Sequence, residues 1–123
     1  MQWHNLKTKL QHKKSQFTFN GGEIWLCVFG LNLGHEEDGK GDIFLRPIVI
    51  LRKINSDTFF AVPLTSKEKN GNYYYPFDFK DKKSVAILTQ VRLLDRKRLW
   101  RKKGTMTPTQ FFAMVKMFKE LFP

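Results

Sequence analysis

The chain has 123 residues and a formal net charge of +11, with 22 Lys and Arg against 11 Asp and Glu, which suits one domain with one modest core. Its 41% hydrophobic and 27% charged composition is that of a soluble globular chain; no run reaches membrane-spanning length, and the polar, basic start has no apolar stretch behind it, so neither a membrane span nor a secretory signal is expected. So basic a surface attracts nucleic acid, an anionic membrane or an acidic protein, and charge alone does not choose among them.

Residues 3–14, WHNLKTKLQHKK, place Trp3, Leu6 and Leu10 at helical spacing among lysines and predict a short basic amphipathic helix. Whether it docks on the body or reaches for nucleic acid stays open. Residues 15–22 read as a loop ending in Gly21-Gly22, so that 1–20 form an N-terminal region before a single main domain at 21–123. EIWLCVFG at 23–30 predicts a strand apolar on both faces, and burial on two sides in so small a domain suggests a second subunit. The single cysteine, Cys27, lies in this strand; it excludes an internal disulfide and fits a reducing compartment, with the cytoplasm as the expected location. GHEEDGKGD at 34–42 is a Gly-rich charged loop whose spacing fits neither a phosphate-binding P-loop nor an EF-hand.

The stretch from Arg46 to Thr65, RPIVILRKINSDTFFAVPLT, predicts a hairpin. Ile48 to Leu51 are near-continuously apolar, Asn55-Ser56-Asp57 supply the turn, and Phe59 to Leu64 return. A hairpin brings the entry of its first strand beside the exit of its second. Arg46 and Thr65 therefore meet at one rim, and a permanent cation beside a hydroxyl on a basic domain suits phosphate. After a basic turn at SKEKNGN, YYYPFDF reads as a strand that Pro76 places at a sheet edge. DKK at 81–83 reads as a turn, and SVAILTQVRLL at 84–94 as one strand with Leu88, Gln90 and Arg92 on a common face. Residues 95–103, DRKRLWRKK, read as a charged connection anchored by Trp100, or as a contact for RNA backbone. Thr107, Pro108 and Gln110 form a capping box, and Phe111, Met114, Val115, Phe118 and Phe122 give the following helix one apolar face. The whole is mainly β with helices: a small antiparallel barrel closed by a C-terminal helix, with an extra helix at the N-terminus.

The ordered set GEIWLC (22–27), GHEEDGKG (34–41), RPIVIL (46–51), VPLTS (62–66) and VAILTQVRLLDRKRL (85–99) resembles the MazF/PemK/Kid toxins of bacterial toxin–antitoxin systems. The first loop is longer than in those relatives, Glu37 stands where they often have glutamine, and the helix at 3–14 precedes their usual start. The resemblance implies an SH3-like barrel homodimer and a sequence-specific endoribonuclease needing no metal or other cofactor. Its substrate would be single-stranded mRNA, its inhibitor an antitoxin with an acidic, flexible tail. Carried over by position, the catalytic residues are Arg46, Thr65 and Glu36. Gln90 and Arg92 match the strand next to the groove. Glu36 and His35, in the loop expected over the site, are the candidates for the base, with His35 also able to contact RNA, and Lys67, Lys69 and the 96–103 cluster would hold phosphates. Tyr73, Tyr74 and Trp100 offer aromatic surfaces for splayed bases.

Such an enzyme lets the substrate's ribose 2′-hydroxyl attack the adjacent phosphorus, giving a 2′,3′-cyclic phosphate and a 5′-hydroxyl. Arg46, always protonated, suits stabilising charge better than acting as base. Two other readings share the fold: a CcdB-like toxin that poisons DNA gyrase, and a non-catalytic nucleic-acid-binding barrel. The gyrase reading has no use for the Arg46–Thr65 pair.

Overall fold

Asn55 turns the central hairpin as its residue type suggests. Its Oδ1 accepts the backbone N–H of Asp57 at 2.8 Å and of Thr58 at 2.9 Å, a side chain standing in for a turn carbonyl. In the computed structural model, which describes residues 17–32 and 42–122, this hairpin is the middle of a seven-stranded antiparallel sheet. The strands are β1 (Glu23–Asn32), β2 (Asp42–Lys53), β3 (Thr58–Thr65), β4 (Tyr74–Phe79), β5 (Lys82–Ile87), β6 (Arg92–Asp95) and β7 (Leu99–Thr105). They run in the order β4-β5-β3-β2-β1-β7, with β6 also paired to β3. The two ends of this order meet where Gly104 of β7 lies against Phe79 of β4; a Cβ at Gly104 would sit 2.6 Å from the Phe79 ring. The sheet thus curls into a barrel, with Pro76 exposed on its end strand as expected.

Strand alternation sends the apolar residues into two cores. Trp25, Cys27, Ile48, Ile50 and Phe59 face one side with Leu94 and Leu99. Ile24, Val49, Val62 and Leu88 face the other with Met114 of the C-terminal helix (Pro108–Lys119). Ile48, Val49 and Ile50 are at most 1% exposed, so the central strand is buried on both faces, and this chain's own segments do the covering. The residues before β1 close the first core. Phe19 is fully buried, its ring 5.1 Å from that of Phe59. Arg96 clamps that segment, donating to the carbonyls of Phe17 and of Ser56 (3.0 Å) while its guanidinium lies 4.7 Å from the Phe17 ring. A second subunit is not needed to account for the apolar faces of β1. The predicted helix at 3–14 lies outside the described residues.

Three expectations change. The single strand read over 84–94 is broken: β5 ends at Ile87, a 3₁₀ turn spans Leu88–Gln90, and β6 begins at Arg92. β5 pairs with the end of β3 and β6 with its beginning. The chain steps along β3 while Leu88 anchors the step in the second core. Leu88 is therefore buried and Gln90 and Arg92 exposed, which frees Gln90 from needing a buried partner. The charged connection at 95–103 is instead a 3₁₀ turn followed by β7, paired with β1 through inward Leu99, its cations pointing out. The turn before β5 is Lys80-Asp81, both at positive φ, so Lys82 and Lys83 already belong to the strand.

The helix starts as its capping box predicts: Gln110 N–H donates to Thr107 Oγ1 at 3.1 Å, and Thr107 N–H to Gln110 Oε1 at 3.0 Å. Phe111, Met114 and Phe118 pack inward, but Phe122, read as part of that face, is 63% exposed beyond the last turn. Among the described residues no helix is long and apolar enough to cross a membrane.

Burial raises the Cys27 thiol to about 12, a nearby Arg98 offsetting only part of the shift. Iodoacetamide at pH 8 is expected to leave Cys27 unmodified in the folded protein and to alkylate it once denaturant is added; mass spectrometry reads both states, and rapid native labelling would contradict the burial. Phe19→Ala should cost about 3–5 kcal/mol in urea unfolding, because the segment before β1 completes a core rather than hanging from it.

Candidate nucleic-acid cleft

The register between β2 and β3 pairs Ile48 with Pro63, Val49 with Val62 and Ile50 with Ala61. That ladder ends at Ile48 and Pro63; beyond it Leu64 and Thr65 pair with Ala86 and Val85 of β5, while Arg46 lies two residues past Ile48 along β2. On its other side Arg46 pairs with Cys27 of β1. Alternation puts Arg46 on the Ile48 side of the sheet, the side of the first core, but at its open end, where the side chain is exposed. It makes no ion pair or hydrogen bond with another described residue. Thr65, half-buried, accepts the backbone N–H of Lys67 on Oγ1 at 3.2 Å. That bond orients the hydroxyl and leaves its own proton to donate.

Two further guanidinium groups lie at the same end. Arg92 sits 5.0 Å from the centroid of the Phe29 ring, two residues along β1 from Cys27. Arg98 donates to the Val28 carbonyl at 3.3 Å and lies close enough to Cys27 to act on its thiol. Arg46, Arg92 and Arg98 thus surround the Cys27–Phe29 segment of β1. Among the described residues no carboxylate pairs with this group; the one ion pair there is Lys102 to Glu23 at 3.4 Å, and Glu23 also accepts Trp25 Nε1–H at 3.0 Å. A concentration of permanent planar cations with open donors is suited to the non-bridging oxygens of phosphate.

On the other side of β2 a cleft of about 380 Å³ opens, lined among others by Pro47, Leu64, Thr65, Phe79, Ser84 and Lys103. Thr65 borders both the guanidinium side and this cleft. Through Ser66 and Ser84 the cleft continues into a hollow of about 360 Å³ that holds Lys69 and Lys83 together with Glu68 and Asp78. Lys67 is exposed on the turn after Thr65, and Gln90 is exposed at the end of the 3₁₀ turn before Arg92. Glu36 and His35 lie outside the described residues. Tyr73 is exposed, whereas Tyr74 and Trp100 are half-buried.

The hairpin expected to carry Arg46 and Thr65 forms, with both residues near its rim end, and Arg92 lies against Phe29 of the strand beside Arg46. Sequence reasoning did not single out Arg98, Lys103 or Phe79. The first two were hidden in a run of cations that looks uniform until the 3₁₀ turn ending at Arg98 and the strand β7 that carries Lys103 divide it. Phe79 had no signal beyond being aromatic, since its place depends on the barrel closing at Gly104.

Comparison with known proteins agrees with this architecture. Residues 20–122 match the family model described as the PemK-like, MazF-like toxin of type II toxin–antitoxin systems. No curated protein is close enough in sequence to count as a relative. Among solved structures, MazF from Deinococcus radiodurans superposes with a TM-score of 0.65 at 18% identity, covering 86% of this chain and 97% of that one. A MazE–MazF structure from the same organism gives 0.68 at 16% identity, with 85% and 96% covered. An endoribonuclease in complex with its cognate antitoxin from a mycobacterial species gives 0.59 at 16% identity, with 85% and 99% covered. At such identities the structural likeness is one of fold, and it is the family match over most of the length that settles membership: the chain belongs to the PemK-like, MazF-like toxins of type II toxin–antitoxin systems.

Proposed function

We propose that this protein is an endoribonuclease that cuts single-stranded mRNA at the rim where Arg46 faces Thr65. The observations that support the reading are an exposed guanidinium, Arg46, and a threonine hydroxyl that accepts from Lys67 N–H, on the two arms of one hairpin near its rim end. The ribose 2′-oxygen attacks the adjacent phosphorus, the P–O5′ bond breaks, and the products are a 2′,3′-cyclic phosphate and a 5′-hydroxyl. Arg46 presents parallel donors to the phosphoryl oxygens as negative charge builds on them. Thr65, its oxygen already accepting from Lys67 N–H, donates its proton to a non-bridging oxygen. Arg92 and Arg98 hold neighbouring phosphates, and Lys67, Lys69 and Gln90 extend the track. The 2′-hydroxyl proton goes to a base, for which Glu36 and His35 are the sequence's expectation, and the departing 5′-oxygen takes up a proton. The residues named act by charge and position, so the reaction as drawn needs no metal. It places the protein where mRNA is, in the cytoplasm, and a homodimer would juxtapose two such rims.

A cationic surface of this kind also accepts an acidic peptide. The partner we infer is a cognate antitoxin whose acidic tail covers Arg46, Arg92 and Arg98 and competes with RNA, as the antitoxin complexes of structural neighbours suggest.

Purified protein with long mRNA and EDTA should give fragments ending in 2′,3′-cyclic phosphates. Arg46→Ala and Thr65→Ala should each lower kcat by about 10²–10³, and Thr65→Ser should retain most of it. Intact RNA, or cleavage indifferent to both alanine variants, sinks the reading; DNA breaks that depend on gyrase, without RNA products, would replace it with a gyrase poison. Inhibition by an acidic antitoxin peptide should weaken as salt rises through the range that screens exposed charge, followed as the inhibition constant against NaCl; a flat response would point to an apolar contact.

A further inference from the structure

We propose that the cleft between Thr65 and Phe79 is a nucleotide subsite. It takes the base of a residue flanking the scissile phosphate against the Phe79 ring and that residue's phosphate on Lys103. This deepens the nuclease reading above and rests on it for the identity of the strand.

The cleft has the size and chemistry for one nucleotide. Its volume, about 380 Å³, falls at the small end of ligand pockets, which run from about 300 to 1,000 Å³. Pro47, Leu64 and the half-buried Phe79 give it an apolar wall; Thr65 and Ser84 add hydroxyls, and Lys103 a cation. An aromatic surface for a base beside a cation for a phosphate is the pairing that single-strand binders use. Lys80 reinforces it, its Nζ lying 5.4 Å from the centroid of the Phe79 ring. The cleft also reaches the end of β3, because Thr65, assigned above to the reacting centre, is among its lining residues. A strand whose phosphate lies at Arg46 and Thr65 leads its next nucleotide over the end of β3 into this space.

The ring is held in place. Phe79 ends β4, directly before the Lys80-Asp81 turn, in which both residues take positive φ. A Cβ at position 104 would lie 2.6 and 2.8 Å from two atoms of the ring. Glycine at 104 therefore permits the position of Phe79, and any larger residue there displaces it.

The test measures binding of the full chain to a short fluorescein-labelled RNA of mixed sequence with 2′-fluoro sugars. This probe keeps bases and phosphates but has no 2′-hydroxyl to attack with. Phe79→Leu and Gly104→Ala should each weaken binding about fivefold or more, the value of one base–aromatic contact, while Phe79→Tyr stays near the parent. Lys103→Gln should reduce the slope of log affinity against log salt by about 0.7, one phosphate contact to a single strand. Melting curves identify any variant that has unfolded, and Phe79→Tyr and Lys103→Gln keep the test decisive if Phe79→Leu does. Parent-like binding by folded Phe79→Leu overturns the subsite. So does an equal loss in folded Phe79→Tyr, which would make the ring a packing residue, or an unchanged salt slope in Lys103→Gln. Cleavage of ordinary mRNA separates the two readings. A parent that binds the probe through Phe79 but cuts nothing refutes the nuclease alone. A parent that cuts, with kcat and KM unchanged in Phe79→Leu, refutes the subsite alone.

Discussion

The alignment of β2 against β3 decides which side chains share the rim, and one irregularity sets that alignment. Lys53 pairs with Phe59 and Arg52 with Phe60, but Ile50 pairs with Ala61, so Leu51 is an extra residue in β2. This is a bulge, two residues on one strand opposing one on the other. Without it the ladder would run on unshifted, and Val49 rather than Ile48 would stand across from Pro63. Polarity alone does not prevent such a slip, because β2 is apolar on both faces and either face is acceptable to a core. The Asn55 turn fixes one end, and the bulge sets the offset from there to the rim. The offset between the two arms of the hairpin thus depends on local backbone geometry near its closed end.

Electrostatics follows from the same layering. A chain with 22 Lys and Arg and 11 Asp and Glu leaves most of its cations without partners wherever it folds. What matters is where the unpaired ones gather. The acid buried in the sheet, Glu23, is held by Trp25 and Lys102, away from the rim. Arg96 is spent on backbone carbonyls and the rings of Phe17 and Phe19. Arg46, Arg92 and Arg98, without a carboxylate partner among the described residues, lie beside β1, two of them held in place by a ring or a carbonyl of that strand. Cations oriented before an anion arrives need little reorganisation when charge develops on it.

Local chemistry was legible in the sequence, and long-range placement only where a hairpin supplied it. The Asn55 turn, the Thr107–Gln110 capping box, the edge position of Pro76 and the buried Cys27 each follow from neighbours close in the chain. The hairpin that carries Arg46 and Thr65 was readable because a hairpin is the shortest route to a distant contact. The break at Leu88–Gln90 was not, since alternating residues look the same whether a strand continues or steps to a new partner position. β7 was obscured by charge, because an outward row of Arg and Lys reads as a solvated loop until Leu99 is seen to enter the core. Phe79 and Lys103 meet only because the sheet closes, and no local pattern encodes closure. The resemblance to a toxin family carried the chemistry further than pattern did, and the match over residues 20–122 bears out that family.

Thr65 is where these constraints converge. As the last residue of β3 it follows directly on the hairpin's paired ladder and is itself paired with Val85 of β5. As the first residue of the following turn it gives one lone pair of its hydroxyl to Lys67 N–H, which fixes the direction of its proton. It also lines the cleft that runs toward Phe79 and Lys103. A strand end is the one place on a sheet where a side chain escapes strict alternation and serves both faces, because beyond it no ladder holds the backbone. A threonine there is stiff at χ1, so its hydroxyl is positioned with little freedom left to lose. That combination of register, a turn bond and a branched side chain lets one hydroxyl sit between a charged rim and an aromatic cleft without a dedicated loop to hold it.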